Sequence, residues 1–257
     1  MKNLLIRNGT IISPTDGIKF EKRDILVLHG KIYAIGLNLK EKIRKEKLLT
    51  NKEFEIINAD NMYISPGFID VHTHCYKRKL PTSMDSDSIG IEKGSTVIFD
   101  AGTAGPSNYY DFKKKYMDEC KTEVYSFLNV TNEGLNILNE STSLDVISFD
   151  KVESVVEKNI EKIKGIKVKA SKFQSNESGI DIIKKSKQVA KKLNLPLVVY
   201  IGEYPSYIDE VMNILGKVDV VTPVYGNSTN GILKESGTLR KSVINAKNRG
   251  VLFDRSE

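Results

Sequence analysis

Of the three histidines in this 257-residue chain, two stand two positions apart, at His72 and His74. They close the run Phe68-Ile69-Asp70-Val71, which reads as a β-strand. Side chains alternate faces along a strand, so both imidazoles project to the same side. Two neutral imidazoles held in this way can grip one divalent metal, with zinc the natural candidate. A His-x-His pair alone recurs by chance, so the setting must decide. Cys75 follows directly, but alternation turns its thiol off the histidine face and makes it a packing residue. His29 lies in an N-terminal turn and reads as an ordinary surface residue.

The elements that must position the pair change character along the chain. Residues 1–62 read as part of a small β-sandwich. Strands at 4–7 and 10–12 flank a turn at Asn8-Gly9, and strands at 24–28 and 31–35 flank a second turn at His29-Gly30. A further strand is expected at 54–57, after the charged stretch 40–47. Residues 63–257 form a second domain of α/β class. Seven short apolar strands are expected there, at 68–72, 96–100, 124–128, 165–168, 197–200, 218–221 and 251–253. Amphipathic stretches separate them, as at 180–193, where Ile182, Ile183, Val189 and Leu193 approach helical spacing. Alternation of this kind predicts a parallel α/β sheet or barrel, the barrel form being (β/α)8. Such a barrel needs eight strands to close, and the sequence ends just past the seventh, so the expectation is an incomplete barrel. Strands of a parallel barrel carry their chemistry at their C-terminal ends, where His72 and His74 fall.

Composition excludes other classes. Hydrophobic residues make up 40% and charged residues 28% of the chain, as in ordinary globular proteins. The net charge of +6 comes from lysines interleaved with acids, as across 40–47, and the sequence contains no tryptophan. That pattern describes a solvated surface and predicts no nucleic-acid partner. No apolar run reaches membrane-spanning length, and the N-terminus turns polar too early for a signal peptide. Two cysteines are too few for a disulfide framework, which leads to the expectation of a cytoplasmic protein.

The string Ser65-Pro66-Gly67-Phe68-Ile69-Asp70-Val71-His72-Thr73-His74, set after a β-rich segment, resembles the metal-dependent amidohydrolase superfamily. The run from Gly90 to Gly105, with Leu128-Asn129-Val130, Gly165-Ile166-Lys167, Ile201-Gly202 and Asn230-Gly231-Ile232-Leu233, is similar to its dihydroorotase-like amidohydrolase/deacetylase branch. Dihydroorotases carry an arginine two residues after the second histidine; Tyr76 stands there, which argues against dihydroorotate. The resemblance implies hydrolysis of an amide or ester bond in a small N-acyl or cyclic substrate, using a divalent metal such as zinc. It also implies that Lys167, on the fourth strand, is carboxylated and becomes an anionic oxygen ligand.

The pattern then breaks. Where the family places imidazoles on its fifth and sixth strands, this sequence has Tyr200 and Pro223. The family's aspartate, ligand and general base, belongs to an eighth strand; Asp254 ends the seventh and is not a candidate for that role. The catalytic residues are therefore not assigned, and the resemblance describes a divergent, truncated and impaired member. The alternative is a non-catalytic remnant or split-gene half that binds metal or a partner. On that reading the barrel's open edges are covered by a homo-oligomer or by a complementing C-terminal fragment.

Overall fold

The computed structural model describes residues 3–45, 54–77, 79–135, 147–170, 178–202, 208–224 and 231–255. Glu46, Lys47 and Asn230, named above, lie outside them. The chain divides into two compact units, Met1–Gly67 and Phe68–Glu257.

In the first unit β1 (Asn3–Ser13) pairs antiparallel with β2 (Ile18–Leu28), which pairs antiparallel with β3 (Lys31–Gly36). A short helix, α1 (Leu39–Lys45), follows, and its Leu39 and Ile43 pack on Leu5 and Leu26. Two further strands, β4 (Phe54–Asn58) and β5 (Tyr63–Ile64), run parallel to β1. Among the described residues this unit is thus one five-stranded sheet with a helix against it. Because β5 belongs to that sheet, the unit continues past residue 62 to Gly67.

Asn8-Gly9 is not the hairpin turn that its composition suggests. The first strand runs through it as an irregularity where the register against β2 shifts. Asn8 takes φ 62° and donates its N–H to Asp24 Oδ1 at 3.0 Å. Asparagine tolerates the left-handed conformation, and a bulge absorbs the extra residue without reversing the chain. The reversal comes instead at Pro14–Asp16, closed by Gly17 at φ 73°. His29 and Gly30, both at positive φ, do form a two-residue hairpin turn between β2 and β3.

The second unit has, among the described residues, seven parallel strands that neighbour one another in sequence order. They are β6 (Phe68–Thr73), β7 (Ser95–Asp100), β8 (Glu123–Asn129), β9 (Ile163–Lys169), β10 (Leu197–Tyr200), β11 (Val220–Thr222) and β12 (Leu252–Phe253). They form a curled, incomplete (β/α)8 barrel. The helices on its outside are α2 (Ser86–Ile89), α3 (Tyr109–Phe112), α4 (Phe149–Lys158), α5 (Ser178–Lys192), α6 (Ile208–Ile214) and α7 (Lys241–Asn248). Ile98, Leu128, Ile166, Val199 and Val221 leave the strands on the helix side. There they meet Val152 and Val156 of α4, Ile182 and Ile183 of α5, and Val211 of α6. Ser148 caps α4 by accepting the Lys151 N–H, and Asp150 in its first turn complements the helix dipole. Both edge strands expose apolar side chains: Phe68, Ile69 and Val71 on β6, and Leu252 on β12.

Leu128 is fully buried between the sheet and the helices. Leu128→Ala is expected to destabilise the second unit by about 2–5 kcal/mol, the usual cost of such a cavity. Urea unfolding followed by circular dichroism measures it.

Candidate metal centre

The C-terminal ends of the parallel strands bring the candidate residues together. His72 and His74, from the end of β6, share a cavity of about 150 Å³ with Lys167 and Lys169 of β9. Asn129 of β8 and Tyr200 of β10 complete its polar lining. A wider recess of about 420 Å³ meets the same histidines and Tyr200 and also reaches Pro223. The four positions that the resemblance singled out on different strands, with His74 beside His72, thus face one mouth.

Each imidazole is held by its Nδ1 atom. His72 Nδ1 lies 3.0 Å from Asp254 Oδ2, and His74 Nδ1 lies 2.8 Å from Thr103 Oγ1. Thr103 is fully buried, and its own N–H donates to Asp100 Oδ1 at 2.7 Å. Holding the rings by Nδ1 leaves Nε2 as the nitrogen available to a ligand. Two imidazoles bound to one zinc at about 2.0–2.1 Å hold their ring centres roughly 5–6 Å apart. These centres stand 5.7 Å apart, with the planes nearly perpendicular at 82°.

Electrostatics keep both rings neutral. Burial pushes the His72 imidazole down to about 4, and the nearby Lys167 charge lowers it further, against the opposing pull of the Asp254 hydrogen bond. His74 is also lowered, chiefly by burial and also by Lys167, while Asp100 works the other way. The His72–Asp254 contact is therefore a hydrogen bond between a neutral ring and a carboxylate rather than an ion pair at neutral pH. Neutral imidazole is also the form that ligates metal.

Two glycines make room for the neighbouring side chains. A Cβ on Gly102, which sits at φ 84°, would meet Lys167 Cγ at 2.8 Å. A Cβ on Gly202 would meet the Tyr200 phenol oxygen at 2.3 Å, because that ring folds back over the glycine. The Lys167 ammonium, 2% exposed as a residue, lies 5.4 Å from the centre of the Tyr200 ring, and Lys169 lies 5.8 Å from it. Cationic donors over a ring face gain electrostatic attraction.

Comparison with known proteins places this arrangement. No family model matches the chain. It is 32% identical over 235 residues to a deacetylase of Brucella anthropi, spanning 90% of this chain and 56% of that protein. It is 29% identical over 255 residues to a deacetylase of Agrobacterium fabrum, spanning 98% of this chain and 60% of that one. A solved structure described as a dihydroorotase matches 98% of this chain and 64% of its own, with a TM-score of 0.83 and 28% identity. The chain belongs to the amidohydrolase superfamily. It spans about 60% of the length of the deacetylases it matches.

Within that superfamily frame, the residues present fit one ion held by two imidazoles. They do not supply the four imidazoles of the two-metal centre that the resemblance implies, since Tyr200 and Pro223 stand where it places the other two. Among the described residues no group of three or more His, Cys, Asp or Glu side chains is arranged to hold a metal. Cys75 is no substitute: it is fully buried, turned to Asp100, and burial pushes its thiol far up. Tyr76 donates instead to Asp111 Oδ2 at 2.8 Å.

Sequence reasoning missed Asp254, Thr222 and Thr103. Thr222 donates its hydroxyl to Asp254 Oδ2 at 2.8 Å, and its Oγ1 lies 3.3 Å from His72 Nδ1. The signal for Asp254 was present, since a polar residue closing an apolar parallel strand faces the barrel mouth as His72 does. Which residue it would meet there was not legible from position alone.

The depressed His72 value has a consequence for folding. Between about pH 6.5 and 4 the unfolded chain binds a proton that the folded metal-free chain does not. Stability from this group is therefore full above 6.5 and lost as pH falls through that window. NMR titration of the metal-free protein should place the His72 midpoint near 4, and Lys167→Met should raise it. Unfolding midpoints should drop across the same window, and less so in His72→Asn.

Proposed function

We propose that this chain binds a single divalent metal, zinc first, through His72 and His74, with a carboxylated Lys167 completing the set. We further propose that the whole protein descends from a hydrolase of amide or ester bonds in small N-acyl or cyclic substrates, and that this capacity is impaired here. The observation that carries the reading is the convergence of His72, His74 and Lys167 on one cavity, with both Nδ1 atoms already engaged by protein.

Buried beside two neutral rings, the Lys167 amine is set where a carbamate would turn a cation into an anionic oxygen donor, which divalent ions accept. A bound divalent cation would supply Lewis acidity toward a carbonyl. The chain's own residues orient and enclose. Thr103 and Asp254 hold the rings, Gly102 leaves space for Lys167, and Tyr200 walls the cavity. Asp254 is not free to act as general base, because it already accepts from His72 and Thr222, and Asp70, which lines the wider recess, accepts the His72 N–H. Tyr200 cannot replace one, since a phenol is ordinarily neutral at pH 7. The deacetylase names of the relatives supply the substrate class as a proposal for this chain. Soluble residence in the cytoplasm remains part of the same proposal. The described residues include no helix long and apolar enough to cross a membrane.

A second reading, a non-catalytic chain that holds metal or pairs with a complementary C-terminal segment, is favoured by Tyr200 and Pro223 in the mouth. Three measurements test the metal site and the proposed impairment. Calorimetry is expected to find one zinc per chain, with affinity falling at least 100-fold in His72→Ala and in His74→Ala. Carbon-13 bicarbonate should give a carbamate resonance that is absent in Lys167→Ala. Zinc-loaded protein is expected to hydrolyse N-acetyl amino acids, cyclic amides and acyl esters no faster than buffer with zinc. Turnover that disappears in His72→Ala would overturn the proposed impairment. Tyr200→His, adding an imidazole to the cavity, should raise zinc affinity about tenfold or more.

A further inference from the structure

Asp254 follows the seventh strand of the second unit and lies 182 positions from its partner His72 in sequence. Its backbone is fixed on both sides: its N–H donates to Val221 O at 2.9 Å, and its carbonyl accepts from Val224 N at 3.2 Å. Its side chain is fixed as well, because the Thr222 hydroxyl donates to Oδ2 at 2.8 Å. The same oxygen lies 3.0 Å from His72 Nδ1. The two side chains are 11% and 19% exposed, so water competes little for this contact.

The proton can be located by elimination. A carboxylate has no hydrogen to give, and the Thr222 hydroxyl hydrogen is committed to it at 2.8 Å. The His72–Asp254 contact then exists only if Nδ1 carries the hydrogen and donates. In a neutral ring this leaves the lone pair on Nε2. His74 has no such constraint, since the Thr103 hydroxyl that meets its Nδ1 can donate or accept.

We propose that Asp254 is a positioning residue for His72: with Thr222 it fixes the Nδ1–H tautomer and the ring orientation, so that Nε2 is presented to the cavity as a ready metal donor. This rests on the metal reading above and goes beyond it. It gives a function to a residue that supplies neither ligand nor base, and it makes the end of the seventh strand part of a site begun on the first. Carboxylates that hold a ligating imidazole in this way typically carry 10–100-fold in metal affinity. Thr222 adds to the effect by locking the carboxylate rotamer.

The test uses the full chain, first without metal. Long-range nitrogen–proton NMR of the imidazoles should find His72 in the Nδ1–H tautomer. In Asp254→Ala the resonances should shift toward the Nε2–H form, with those of His74 unchanged. Zinc affinity should fall 10–100-fold in Asp254→Ala and by a smaller factor in Thr222→Val, with Asp254→Glu recovering part of the loss. A merely structural role for Asp254 would not move the His72 tautomer while leaving His74 and the far-ultraviolet dichroism as they were. An Nε2–H tautomer in the unsubstituted protein would overturn the proposal. So would zinc affinity unchanged within twofold in an Asp254→Ala protein whose tautomer has switched. If Asp254→Ala does not fold, Thr222→Val carries the same two readouts, and no change in either overturns the proposal. If the unsubstituted protein binds no zinc, the metal reading fails and the proposal's metal-presenting role falls with it. The tautomer measurement then still decides whether Asp254 orients the ring.

Discussion

The hydrogen bond between His72 and Asp254 joins the ends of the two outer strands of the described parallel sheet. Among the described residues, backbone pairing runs in sequence from β6 to β12. The curl of the sheet, which follows from the right-handed twist of its strands, brings the far ends of this series close enough for a side-chain contact at 3.0 Å. The geometry of the mouth depends on that approach. It sets where His72 points, and it leaves Asp254 engaged by His72 and Thr222 rather than open to solvent.

Within that mouth, burial and charge act together on the two imidazoles. Desolvation is the larger influence on each, and Lys167 adds to it, so both rings are disfavoured as cations. Placing a lysine of 2% residue exposure beside two histidines is costly for the charged forms of all three. Proteins retain such arrangements where function selects them, and perturbed titratable groups gathered in a cleft are a physical marker of a site. The aromatic face of Tyr200 offsets part of the cost for Lys167 and Lys169.

The first unit illustrates how local signals and tertiary pairing divide the work. Asn8-Gly9 and His29-Gly30 carry the same type of turn chemistry, yet one becomes a bulge inside β1 and the other a hairpin turn. The difference lies in what is available to pair. Strand β1 continues to find partners beyond Gly9 in both β2 and β5, so the chain gains more by running on than by reversing. Asp24 then satisfies two backbone N–H groups, of Asn8 and of Leu39 at the start of α1.

The sequence by itself determined the parallel α/β class, the seven strands of the second unit to within a few residues, and the shared face of His72 and His74, while Lys167, Tyr200 and Pro223 were singled out only by the resemblance. The former follow from local physics: period-two alternation, apolar runs between amphipathic helices, and a motif whose residues are neighbours in the chain. Only the tertiary structure decided what meets across the mouth. That Asp254 and Thr222 hold His72, that Thr103 holds His74, and that Gly102 and Gly202 clear space for Lys167 and Tyr200 are contacts between residues far apart in sequence or set by backbone shape. Their distances depend on how strongly the sheet curls and on where each strand's register falls. A periodicity fixes which face a side chain takes, but it cannot fix which distant side chain stands opposite at 3.0 Å.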